Sequence, residues 1–178
     1  SIIFARVSFN IINQIEVHFD EAQYWVWSQN LSLSYLSKGP LAPSLIAFSN
    51  LIFGQSYLGL KFFSFLAYLG TIIFLSIAAL KLSNKKEGFT KALIFSALSP
   101  TLFVLGGVAS TDIYLFFFWS LTILCYIFFF EDRNEWWFYI IGVTTGLGIL
   151  AKLTMILLPV SILIYFLATD LRKYFFNI

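Results

Sequence analysis

The chain has 178 residues, of which 60% are hydrophobic, 20% aromatic and only 11% charged, an apolar share well above that of a soluble domain and one that marks a membrane protein. Its net charge of +2 comes from basic residues scattered along the chain, too mild a balance to argue for nucleic acid. The single cysteine, Cys125, lies inside an apolar run, which rules out an intrachain disulfide and a cysteine-based metal site.

Each long apolar run is expected to be a helix, because unpaired backbone polar groups are too costly in lipid. The opening stretch begins with Ser1 rather than Met and has no basic region followed by a cleavage site. Its apolar part, Ile2 to Ile15, is short and carries Arg6, Asn10 and Asn13, so it is expected to be the outer part of a truncated first span (1–15). The next segment, 16–59, is too polar at its start to span. It is also too apolar at its end ("LAPSLIAFSNLIFG") to be a free loop, and reads as an interfacial lid in the first outer loop. Tyr24, Trp25, Trp27 and Tyr35 suit the headgroup zone, where amphipathic rings settle. Pro40 and Pro43 should divide the lid into two helical pieces.

The remaining spans (60–178) are expected at Leu60 to Leu80, Phe89 to Leu105, Ile113 to Phe130, Trp136 to Leu150 and Leu153 to Ala168. As a helix, Ile113 to Phe130 is about 27 Å long, close to the hydrocarbon thickness. The last two are short and suit a hairpin. No internal repeat is visible. The expected fold is all-α: a polytopic transmembrane helical bundle of about six spans, the first truncated, with interfacial helices in the first outer loop.

Alternating these spans puts 84–88, 131–135 and 170–173 on one side, and the lid, Asp112 and Lys152 on the other. Seven of the eleven basic residues (Lys81, Lys85, Lys86, Lys91, Arg133, Arg172, Lys173) fall on the first side, which the positive-inside rule makes cytoplasmic. The stretches "FDEA", "LSKGP", "STD" and "AKLT" then gather at the outer face.

Those stretches hold the residues that could carry chemistry. Asp20 and Glu21 stand side by side; Asp20 either caps a helix, with Gln23 closing a capping box and Glu21 in the first turn, or works chemically. The company of Asp112 at the same face favours chemistry, since charge between apolar spans is expensive and usually functional. Asp112 has its own cap reading, with Thr111 an equal competitor. Lys38, in a turn set by Gly39 and Pro40, either snorkels or presents its ammonium to a ligand. Lys152 separates two apolar runs and needs an anion or water nearby; both lysines suit a phosphate as point charges. His18 is either a metal ligand beside Asp20 or an interfacial hydrogen-bond donor. No HExxH, Ser/His/Asp set or P-loop is present, which leaves triad hydrolysis and nucleotide-driven pumping without support.

In chain order, an apolar helix, "DEAQYWVWSQNLSLSYLSKGPLAPSLIAFSNLIFGQS", "ALSPTLFVLGGVASTD" and "GLGILAKLTMILLP" resemble the GT-C membrane glycosyltransferases related to protein O-mannosyltransferases and the lipid A aminoarabinose transferase. The resemblance covers essentially the whole chain. It implies sugar transfer, with inversion, from a polyprenyl-phosphate-linked donor to a lipid, glycan or protein acceptor at the outer face of a bacterial cytoplasmic (inner) membrane. The family's first-loop aspartate falls on Asp20, its second acidic position on Asp112, and its two lysines on Lys38 and Lys152. The family loop often reads His-Pro-Pro or Glu-Lys-Pro where this chain has Ser37-Lys38-Gly39-Pro40.

On this reading Asp20 is the base for the acceptor hydroxyl. Lys38 and Lys152, or a divalent metal of unknown identity at Asp20 and Asp112, offset the charge on the departing phosphate. Asp112 positions that metal or the acceptor, while Glu21, Tyr24 and Trp27 of the lid contact substrate. Family members are longer, so residues 1–178 are expected to be the N-terminal part of a GT-C domain and inactive alone. Two rivals remain. A transporter or lipid flippase should place ionisable residues at mid-depth in several spans, and a purely structural membrane subunit would leave the acids replaceable.

Overall fold

A computed structural model describes residues 18–35 and 38–169; the expected first span and the expected cytoplasmic segment 170–173 lie outside these residues. The protein is all-α, with eight α-helices among the described residues: α1 (Phe19–Gln29), α2 (Leu41–Phe53), α3 (Tyr57–Ser83), α4 (Lys86–Leu98), α5 (Pro100–Leu105), α6 (Thr111–Asp132), α7 (Trp136–Ala151) and α8 (Leu157–Ala168). A single 3-10 turn, Leu153–Ile156, joins α7 to α8.

Among the described residues, helices α3 and α6, of 27 and 22 residues, are the two that are long and apolar enough to cross a membrane. Lipid gives no hydrophobic drive for helix pairing, so packing rests on small residues and interhelical hydroxyls. Helix α3 supplies both, burying Ser64, Ala67, Thr71 and Ser76. The hydroxyls of Ser64 and Tyr114 meet at 3.0 Å. Thr71 and Ser76 satisfy themselves by donating to the carbonyls of Ala67 and Ile72, each at 2.7 Å. At Gly70 the missing side chain makes room for the Phe117 ring, which any Cβ would strike. Between α6 and α7, Thr122 donates to Thr144 at 2.9 Å.

Pairings of Ser64 with Tyr114 near one end and Lys81 with Glu131 near the other show that α3 and α6 run parallel. Helix α4 returns beside α3, where the Tyr68 hydroxyl donates to the Ala97 carbonyl at 3.3 Å. Helix α7 returns beside α6, from the stack of Trp137 on Phe128 to Ala151. The chain therefore comes back twice to the end where α3 and α6 begin. The two lid helices are fixed there, because Tyr24 of α1 and Ala42 and Ile46 of α2 share one core with Leu60, Tyr68 and Ile72 of α3 and Ile113 and Tyr114 of α6.

Three expectations need correction. Phe89 to Leu105 is not one helix: Ser99 is extended (φ −60°, ψ 119°), as a residue before proline must be, and α4 stops while α5 restarts at Pro100. Leu153 to Ala168 opens with the 3-10 turn, so its α-helix holds only 12 residues. Tyr24 is 1% exposed and belongs to the core, not to a headgroup belt.

Candidate functional site

The geometry of the site begins with two helix starts. At α1 the cap is His18: its Nδ1 accepts from the Asp20 N–H at 3.3 Å, while the Glu21 carboxylate accepts from the His18 N–H at 2.9 Å. The capping box thus uses His18 and Glu21, two residues earlier than the Asp20 and Gln23 expected, and leaves the Asp20 carboxylate free of that duty. At α6 the N-cap position is Ser110, so neither Thr111 nor Asp112 fills it, and Asp112 lies in the first turn.

Both aspartates open onto a cavity of about 270 Å³. Asp20 and Tyr24 of α1, Lys38 and Gly39 of the loop, Thr111 and Asp112 of α6, Ala151 at the end of α7, and Lys152 and Leu153 beyond it line this space. Lys38 Nζ donates to Asp20 Oδ1 at 2.9 Å and to Gln23 Oε1 at 3.4 Å, and lies 4.7 Å from the centre of the Tyr24 ring. Burial works to lower the Lys38 pKa, but the Tyr24 side chain and the Asp20 carboxylate outweigh it, so the net shift is upward and the ammonium is held charged. Lys152 Nζ donates to Asp112 Oδ1 at 2.5 Å. The cavity wall therefore carries two acids and two bases in two pairs.

Local backbone explains why the lysines converge. At Lys152 the chain leaves the helix (φ −156°, ψ 130°), and its ammonium turns back to α6. Gly39 rests on the last turn of α7, where any Cβ would fall on the Leu150 carbonyl oxygen. That contact needs glycine and brings the Lys38 loop against the segment that carries Lys152.

Two of the residues expected to contact substrate do not line this cavity. Trp27 stacks on Tyr35 with ring centres 4.5 Å apart and meets the edge of Tyr24 at 5.8 Å; it anchors the loop. Glu21 is fully buried. Its Oε1 accepts from the Ala109 N–H at 2.7 Å and faces Lys61 Nζ at 3.2 Å, and Lys61 donates in turn to the Gly107 carbonyl at 2.8 Å. The sequence shows Gly39 as a turn residue without its contact on α7, and gives Lys61 no part in the site. The available signal was a lysine five residues into a 27-residue apolar helix, where an ammonium requires a partner.

Asp20 and Asp112, the pair expected to hold a divalent metal, share the cavity, but each already engages an ammonium. Among the described residues no three His, Cys, Asp or Glu side chains converge. A hard divalent cation held by one or two carboxylates completes its oxygen shell with water and substrate phosphate, so Asp20 and Asp112 are the residues that would hold one.

Residues 37–177 match the family model described as dolichyl-phosphate-mannose-protein mannosyltransferase. The chain is also 33% identical over 139 residues to the lipid A galacturonosyltransferase RgtD of Rhizobium johnstonii (strain DSM 114642 / LMG 32736 / 3841), an alignment covering 75% of this chain and 28% of that protein. The chain thus spans less than a third of the length of this curated relative. No solved structure matches it.

Proposed function

The chain belongs to the dolichyl-phosphate-mannose-protein mannosyltransferase family of GT-C glycosyltransferases, and from that premise we propose that it moves a sugar from a polyprenyl-phosphate donor to an acceptor at the outer face of a bacterial cytoplasmic membrane, with inversion at the anomeric carbon. The observation that carries this reading is the joint placement of Asp20–Lys38 and Asp112–Lys152 around one cavity at the ends of apolar helices. Such a site meets a lipid phosphate where the tail is in the bilayer and the sugar is in water.

The donor phosphate engages Lys38 and Lys152, and each lysine then loosens its hold on its own carboxylate. Asp20 takes the proton of the acceptor hydroxyl as the acceptor oxygen bonds to C1 of the sugar. The C1–O bond to phosphate breaks and its electron pair stays on the phosphate, whose added charge the two ammonium groups offset. Asp112 orients the acceptor. The lysines supply the countercharge, and a divalent metal held by Asp20 and Asp112 would add to it. Helix α1 and the Lys38–Gly39 loop wall one side of the cavity and limit water at the reacting carbon. The likeness to a lipid A galacturonosyltransferase supports an envelope lipid or glycan as acceptor.

Asp20→Asn in the full-length protein tests this. Transfer of label from lipid-linked donor to acceptor in membranes should fall by roughly 10²-fold or more, with the protein still folded and inserted. Near-parent turnover would remove Asp20 as the base.

A further inference from the structure

Glu21 is the most deeply buried charge near the site, yet the mechanism does not use it. A buried carboxylate is costly unless paired and hydrogen-bonded, and this one has three partners drawn from three separate elements. They are the His18 N–H at the start of α1 (2.9 Å), the Ala109 N–H in the loop before α6 (2.7 Å) and Lys61 Nζ in α3 (3.2 Å). Lys61 closes the ring by donating to the Gly107 carbonyl of that same loop at 2.8 Å. Ala109 is itself fully buried, so the loop is fixed at both Gly107 and Ala109, three residues ahead of Asp112. Asp20 is the sequence neighbour of Glu21. With its side chain wholly buried, Glu21 cannot touch donor or acceptor directly.

We infer that Glu21 is a positioning residue, whose carboxylate, with Lys61, sets the placement of Asp20 relative to Asp112 by tying the first turn of α1 to the loop that launches α6. The inference rests on the glycosyl-transfer reading of the cavity. It assigns Glu21 a different task from the substrate contact that the sequence alone suggests. Glutamine cannot replace it, because an amide would turn a donor toward a backbone N–H and would leave the Lys61 ammonium without its counterion.

The experiment compares Glu21→Gln, Lys61→Met and the double variant with Asp20→Asn in the full-length protein in native membranes. Turnover is read as transfer from lipid-linked donor, and donor-site occupancy as cross-linking by a photoreactive polyprenyl monophosphate. Misplacement by about 1 Å suffices for a loss of roughly 10²-fold, so Glu21→Gln should lose turnover on that scale while labelling by the probe is kept. Lys61→Met should show the same split, and the double variant should be no worse than the more impaired single one, since the two residues act as a unit. The double variant also guards against misfolding, because replacing both members of a buried pair is tolerated better than removing one. Parent-level turnover in the double variant would overturn the inference. So would lost probe labelling with turnover rate intact, which would make Glu21 a donor contact. Parent-level turnover in Asp20→Asn would instead overturn the glycosyl-transfer reading underneath it.

Discussion

Helices α3 and α6 carry ion pairs at both ends, and the two ends use them differently. At the end away from the cavity, Lys81 donates to Glu131 at 2.7 Å, with both side chains more than a third exposed. The chain leaves each helix there through a left-handed residue, Asn84 (φ 52°) and Arg133 (φ 54°). That pair joins helices already packed along their length and has water to solvate it. At the cavity end the pairs join different elements across the site: the lid loop to α1, the residue after α7 to α6, and α1 to α3 through Glu21 and Lys61. The same residue types decorate one end and assemble the other.

The widest contrast should appear in stability. Lys61→Met leaves Glu21 charged and without its ammonium in the interior, which should cost about 3–5 kcal/mol, whereas Lys81→Met at the opposite end should cost less than about 1 kcal/mol. Thermal unfolding of both variants in one detergent would show it, and equal losses would erase the distinction between the ends. Binding gives the next contrast. Lys152→Met keeps the shape of the side chain and removes its charge, so affinity for polyprenyl monophosphate should drop by the equivalent of about 1.5–3 kcal/mol, the range for a hydrogen bond to a charged group; Lys81→Met should leave that affinity unchanged.

A packing contrast comes third. Gly39→Ala drives a Cβ onto the Leu150 carbonyl and should cost about 1–3 kcal/mol as overpacking, with loss of transfer because Lys38 moves. Gly146→Ala, in α7 with nothing near the added carbon, should be neutral or stabilising by up to about 1 kcal/mol. Paired melting curves and transfer assays check it. The smallest effect concerns pH. The folded pKa of Lys38 lies above its unfolded value, which is about 10.4 for lysine. Its contribution to stability is therefore complete below that value and declines only as pH rises through the folded pKa. At every pH between 7 and 9 labelling of Lys38 by an amine reagent should be slower than that of the exposed Lys91, and equal rates would show that the pair with Asp20 does not hold.

The charged residues of the cavity were legible because lipid makes charges rare: Asp20, Lys38, Asp112 and Lys152 stand out at the boundaries of apolar runs, and their order along the chain carried the family resemblance. The cap alternative for Asp20 fails for a local reason. Histidine is not among the preferred capping residues, so the box was looked for at Asp20 and Gln23, and that shift of two residues hid the inward direction of Glu21. The break at Ser99 and Pro100 was visible in the sequence but was outweighed by the continuous apolar character around it. Gly39 was read as a turn residue. Its actual constraint comes from a carbonyl more than a hundred residues away, a contact that no periodicity announces.

Helices α1 and α6 both begin at the cavity, and no side chain caps the first turn of α6. Each helix start carries roughly half a positive charge from its aligned peptide dipoles. The formal count of two carboxylates against two ammonium groups therefore understates the field inside. The uncapped start of α6 adds positive potential on the Asp112 side of the cavity, offset in part by the C-terminal end of α7 at Ala151.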